Sequence, residues 1–207
     1  MDRTHHLGQP MTDILLPPSG TGPGVVVAHP WWGLNQTVRD YGAALAKQGF
    51  VVALPDLFNG EIVTQIEEAE KQIRKHRDRA DALLSAALDE LVRHPAVTGG
   101  GLGGVGFSFG GFHLLEAIER GDKRIARLVV YYATHPLPAE HAPIQAHLAA
   151  DDPYESREDM DALAANLGAS AYTYPGTVHW FAEADRPEYN AAAAKLAFER
   201  TVAFLNR

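Results

Sequence analysis

The sequence predicts an open, doubly wound α/β sheet, mostly parallel, with helices on both faces. Two observations predict it. Short β-branched runs are apolar at every position rather than at every second one, the pattern of strands covered on both sides. Stretches of helical spacing separate these runs from end to end, the order that right-handed βαβ crossovers require.

The elements follow in order. A weak strand is expected at 14–16, then buried strands at 25–28, ending at His29-Pro30, and at 50–54, ending at Pro55. Residues 103–107, 125–132, 144–149 and 170–174 complete the strand set. A helix over 37–47 places Val38, Tyr41 and Leu45 on one face and closes at Gly49, a good residue for leaving a helix. A long helix over 64–93 carries Ile66, Ile73, Ala80, Leu84, Leu88 and Leu91 as its apolar stripe, and its charges fall largely outside that stripe. Further helices are expected at 111–120, at 156–167 with Ser156 as N-cap and acids in the first turn, and at 189–204. No linker divides the pattern, so 11–207 reads as a single domain. Residues 1–10 are polar, precede a second Met at position 11, and read as a mobile N-terminal extension. Sheet and helices consume nearly all the length, leaving little or no cap and predicting an open site for small, soluble substrates.

Composition excludes several function classes. The 18 Lys and Arg against 26 Asp and Glu give a net charge of −8, with no dense basic block, so no nucleic-acid partner is expected. Cysteine is absent, which excludes disulfides, thiolate zinc sites, iron–sulfur clusters and a cysteine nucleophile. No apolar run approaches the roughly 20 residues of a membrane span, and the N-terminus lacks the apolar stretch of a signal peptide, so no membrane partner and a cytoplasmic location are expected.

The chemistry concentrates at Gly106-Phe107-Ser108-Phe109-Gly110-Gly111, which follows a predicted strand and precedes a predicted helix. That is the setting of a G-x-S-x-G nucleophile elbow. The serine takes a strained turn, small residues avoid collisions around it, and the helix N-terminus favours developing negative charge. The N–H of Phe109, the residue after the serine, is then one oxyanion donor. The neighbouring glycines lack the Gly-Lys-Ser/Thr ending of a phosphate loop, and a dinucleotide fingerprint would belong after the first strand. A serine hydroxyl needs a base, and the base needs an orienting carboxylate. In α/β-hydrolases the chain order is Ser, then Asp or Glu, then His. His179 follows the last predicted strand, and Asp151 and Asp152 both follow the strand before it, at the sheet ends where open α/β sheets gather their sites. On position alone either aspartate fits. His113, five residues after Ser108, is expected to pack or cap, facing elsewhere. His135, His141 and His147 stand six apart, which matches no helical ligand spacing, so no metal site is expected.

The blocks at 25–35, 39–40, 48–57, 106–111, 152–153 and 174–181 together resemble the dienelactone hydrolase family of α/β-hydrolases, over roughly 25–207. The resemblance implies Ser108 as nucleophile, His179 as base and Asp152, rather than Asp151, as acid. It also implies a second oxyanion donor at the Trp31 N–H. Two positions depart from the family. Many members carry cysteine where this chain has Ser108, and a thiol-activating glutamate where it has Pro30. The departures agree with each other, since a serine triad has no thiol to switch on, and they weaken any specific claim to dienelactone as substrate.

The sequence thus points to a serine hydrolase cleaving a small carboxylic ester or lactone through an acyl-enzyme, with no metal or organic cofactor. A thioesterase or peptidase could use the same triad, and a binding module on the same fold would need that triad to have decayed. Trp31, Trp32, Phe58, Phe107, Phe109 and Trp180 fall near strand ends and are candidate pocket residues, with Arg39 as a candidate substrate contact. Arg74 and Arg77 are expected on a solvated helix face.

Overall fold

A computed structural model describes residues 12–207. The expected extension at 1–10 lies outside the described residues. Seven strands are present: β1 Thr12–Leu15, β2 Gly24–Ala28, β3 Val51–Pro55, β4 Leu102–Phe107, β5 Ile125–Tyr131, β6 Ile144–Ala149 and β7 Ala171–Tyr174. They form one sheet in the order β1-β3-β2-β4-β5-β6-β7, with β1 alone antiparallel, on β3. Four helices connect them, α1 Gln36–Lys47, α2 Ile66–Arg93, α3 Phe109–Glu119 and α4 Arg157–Leu167, and α5 Ala191–Leu205 follows β7.

Burial on both faces explains why the strands read as continuous apolar runs. Val26, Ala28, Ala53, Leu128 and Val130 pack with α2, α3 and α4 on one face, while Val25, Val27, Val52, Val129 and Tyr131 pack with α1 and α5 on the other. Caps fix the helix starts. Asn35 accepts from the Val38 N–H, Ser156 from Asp159 and Asn190 from Ala193. The Ser156 cap is the one the sequence predicts.

One stripe position differs. Ile66, expected to be buried, is 37% exposed. The 28 residues of α2 span about 42 Å, more than twice the roughly 17–20 Å of a typical strand. Its first turns therefore project past the strand ends, and Ala80, Leu84, Leu88 and Leu91 do the covering of the sheet.

The chain leaves β2 toward β3 on one side and returns to β4 on the other, so strand order reverses between β2 and β4. The crevice at their C-terminal ends is the expected ligand position of an open α/β sheet. His29-Pro30-Trp31 and Ser108 emerge there.

Candidate active site

Ser108 sits between β4 and α3 with φ 46° and ψ −113°, in a region that non-glycine residues occupy only under constraint. Packing imposes that constraint. A Cβ on Gly110 would lie 2.4 Å from the Ala28 carbonyl oxygen and 2.6 Å from that of His29, so α3 starts in direct backbone contact with the end of β2. The Ser108 N–H donates to Tyr131 O at 2.9 Å, tying the elbow to β5.

His179 enters from the turn after β7, and its Nε2 lies 2.9 Å from Ser108 Oγ. Its Nδ1 is 2.8 and 2.9 Å from the two Asp152 carboxylate oxygens. A carboxylate only accepts, so Nδ1 carries the proton and Nε2 presents its lone pair to the serine hydroxyl. The Asp152 side chain is 0% exposed, and its Oδ1 also accepts the Tyr154 and Glu155 N–H groups. Asp151 is exposed and holds the His179 turn only through its backbone, donating to Thr177 O at 3.1 Å. Rings of Tyr132, Tyr154 and Trp180 surround the imidazole at centroid distances of 4.8, 5.0 and 5.2 Å.

Ser108 opens into a cavity of about 290 Å³. Trp31, Ile73, Phe109, Phe112 and Tyr154 give it apolar walls, and Arg77, His113 and Glu155 stand among them with His179. The Phe109 N–H is in the first turn of α3, where an amide has no acceptor within the helix.

Several sequence expectations change here. Trp32, Phe58 and Trp180 do not line the cavity; they are 1%, 0% and 3% exposed and form the scaffold behind it. Trp32 and Trp180 pack at 5.1 Å, with the Arg186 guanidinium 4.0 Å above the Trp32 ring. Phe107 is buried against Tyr131 on the far face of the sheet. Arg39 pairs with Asp13 on β1, away from the cavity. Of these only Phe107 is on a strand, where the pleat turns it to the other face; Trp32, Phe58 and Trp180 stand in turns after strands and direct their rings into the core, and Arg39 is half-exposed on α1. Arg77 is the reverse case, exposed yet lining the cavity, because the projecting turns of α2 form its wall. His113 faces the cavity rather than away from it, buried against Phe109 with Nδ1 2.7 Å from Asp81. Asp81, His113 and Glu116 lie within ligand range of one another, but Arg120 already bonds Asp81 at 3.0 Å. His135, His141 and His147 have separate partners in Glu119, Asn166 and Tyr174.

Glu155 is the cavity residue that sequence reasoning passed over as one more acid near a helix start. Burial pushes its carboxyl above the ordinary range, opposed by the hydrogen bond it accepts from Thr134. Its spacing three residues beyond Asp152, in the same turn, is the signal that places it by His179.

Residues 12–207 match the sequence profile of the dienelactone hydrolase family. The chain belongs to that family. Among relatives, the carboxymethylenebutenolidase of Pseudomonas putida is 25% identical, covering 91% of this chain and 87% of its own. Protein usf of Aquifex pyrophilus is 26% identical, covering 90% and 89%. A protein of Azospirillum brasilense is 31% identical over 95% of this chain and 99% of its own. Among solved structures, a dienelactone-hydrolase-like promiscuous phosphotriesterase from metagenomic libraries superposes with a TM-score of 0.78 at 22% identity, covering 94% and 91% of the two chains. Est1E from Butyrivibrio proteoclasticus gives 0.70 at 14%, covering 95% and 94%. These structures share the α/β-hydrolase fold seen here. Dienelactone hydrolase family membership thus agrees with the resemblance carried by the sequence blocks.

Proposed function

We propose that this dienelactone hydrolase family member is a serine hydrolase of small carboxylic esters or lactones, with Ser108, His179 and Asp152 as its triad. The supporting observation is the unbroken hydrogen-bonded line from Asp152 through His179 to Ser108 at the wall of an apolar cavity. His179 Nε2 takes the hydroxyl proton as Ser108 Oγ attacks the carbonyl carbon. The Phe109 and Trp31 N–H groups hold the oxyanion; each such donor typically contributes about 2.7–4 kcal/mol. His179 then protonates the leaving alkoxide. An acyl group remains on Ser108, and a water deprotonated by His179 releases it. Asp152 keeps His179 in the required tautomer and stabilises the transient imidazolium. Every proton moves between groups of the chain, substrate and water.

The cavity suits a substrate with a compact apolar body. Arg77 at its rim favours an anionic substituent there, with Glu155 marking the opposite electrostatic end.

Fluorophosphonate labelling with peptide mapping tests the reading. Modification at Ser108 alone, lost in Ser108→Ala and in His179→Ala, is expected. Folded protein that leaves Ser108 unlabelled would sink it. Relative turnover of oxygen esters, lactones, thioesters and amides then fixes the acyl bond cleaved.

A further inference from the structure

His29 stands directly after β2 and is 0% exposed, yet the triad does not use it. Both ring nitrogens are engaged. Nε2 lies 3.0 Å from the Leu57 backbone nitrogen, and Nδ1 lies 2.7 Å from the Pro30 carbonyl oxygen. An amide N–H only donates, so Nε2 must be the acceptor. The ring proton is therefore on Nδ1 and is donated to Pro30. Leu57 thus sets the tautomer, and Phe58 packs edge-on at 4.9 Å to hold the ring plane. Burial lowers the His29 pKa to about 4, which keeps this neutral form in place at neutral pH.

The anchored oxygen belongs to the Pro30–Trp31 peptide. No cis peptide bond occurs among the described residues, and in a trans planar peptide the C=O and N–H point in opposite directions. Fixing the oxygen against His29 therefore sends the Trp31 N–H the other way. The Gly33 N–H adds a second bond to the same oxygen at 3.2 Å. This peptide plane turns on ψ of Pro30 and φ of Trp31, while proline holds the φ before it fixed. The contact of Gly110 with the Ala28 and His29 carbonyls sets this segment against the elbow, and Trp31 and Ser108 border the same cavity.

We propose that His29 is a positioning residue that locks the Pro30–Trp31 peptide with its N–H presented to the oxyanion. The inference rests on the serine-hydrolase reading and deepens it. Without the lock, the peptide can turn its carbonyl toward the site, replacing a donor by an acceptor where negative charge develops. The effect appears in the transition state and not in substrate binding, so it falls on kcat rather than KM.

Two substitutions separate this role from packing. In His29→Asn the amide nitrogen occupies the place of Nδ1 and still donates to Pro30, but cannot reach Leu57. In His29→Gln the longer side chain reaches the Leu57 N–H and leaves the Pro30 carbonyl without its side-chain donor. Both lose one buried hydrogen bond, so a purely structural role lowers thermal stability in both without ordering their kcat values. The positioning role predicts that His29→Gln loses about 100-fold or more in kcat at nearly constant KM, the scale of a lost oxyanion donor. It predicts that His29→Asn retains most of the activity. Affinity for an alkylboronic acid, whose tetrahedral Ser108 adduct puts an oxygen in the same place, should fall in parallel with kcat. Measured on the folded fraction, a kcat for His29→Gln equal to or above that of His29→Asn overturns the proposal. Failure of the serine-hydrolase reading shows earlier and separately, as wild-type protein that a fluorophosphonate does not label.

Discussion

Glu183, in the turn after His179, is a carboxyl whose ionisation the fold resists. It is 2% exposed. Its Oε1 accepts the Tyr132 hydroxyl at 2.8 Å, and its Oε2 has no protein partner among the described residues. Burial pushes its pKa from the ordinary 4.5 up to about 8, against the opposing effect of the Tyr132 hydrogen bond. Between those values the native chain holds a proton that the unfolded chain releases, so stability falls as pH rises through that window. The window spans 8 − 4.5, or 3.5 pH units, and at about 1.4 kcal/mol per unit the full effect is on the order of 5 kcal/mol. Glu183→Gln keeps the shape and the acceptor for Tyr132 but cannot ionise. Urea unfolding of both proteins at pH 5, 7 and 9 isolates the effect, because every other titration is shared. The stability difference should move in favour of the variant by about 3 kcal/mol from pH 5 to 7 and further by pH 9. A difference constant across the three pH values would refute the reasoning.

Asp152→Asn should lower kcat by about 10⁴-fold with little change in KM, because the amide no longer fixes the His179 tautomer; steady-state kinetics on a short-chain ester checks it, and a loss under tenfold would contradict it. His147, buried between Tyr174 and Thr201, is lowered to about 3 by burial and then by Arg200. Its contribution to stability is complete above pH 6.5 and is lost as pH falls toward 3, at about 1.4 kcal/mol per unit; a urea midpoint in His147→Gln that falls as steeply with acid as in wild type would count against it. Gly110→Ala drives a Cβ to 2.4 Å from the Ala28 carbonyl oxygen and should destabilise by about 1–3 kcal/mol while lowering kcat; unchanged melting and turnover would remove the argument that this contact sets the elbow. Arg77→Met should raise KM severalfold for a carboxylate-bearing ester and leave a neutral ester unchanged, the modest scale of an exposed charge; equal effects on both substrates would exclude a charge role.

The β-branched runs were legible as strands because both faces are covered, and every residue of β2, β3 and β6 is buried. Ser108, His179 and the pair Asp151 and Asp152 were legible as candidates because chain order and strand-end position constrain them; choosing Asp152 took the resemblance, and it is the Asp152 carboxylate that accepts from His179 Nδ1. What the sequence hid was direction. Trp32 and Trp180 follow strand ends as Trp31 does, but their rings turn inward to stack under Arg186. Arg77 carries no sequence signal for a cavity, since its place depends on how far α2 outruns the sheet, and the only signal for Glu155 is its position three residues after Asp152. His29 was invisible for a different reason: its partners are backbone atoms, and one of them lies 28 residues away on the β3 loop.

The overrun of α2 separates two demands that many folds place on the same residues. Its later turns carry Leu84, Leu88 and Leu91 onto the sheet, while Ile73 and Arg77, on earlier turns, meet the cavity. Changes at Arg77 alter the charge offered to a substrate without touching the core, and changes at Ile73 reach only its edge. Substrate range can therefore drift quickly along the front of this helix, by natural variation or by directed libraries, while Ser108, His179 and Asp152 and the scaffold that holds them stay fixed behind it.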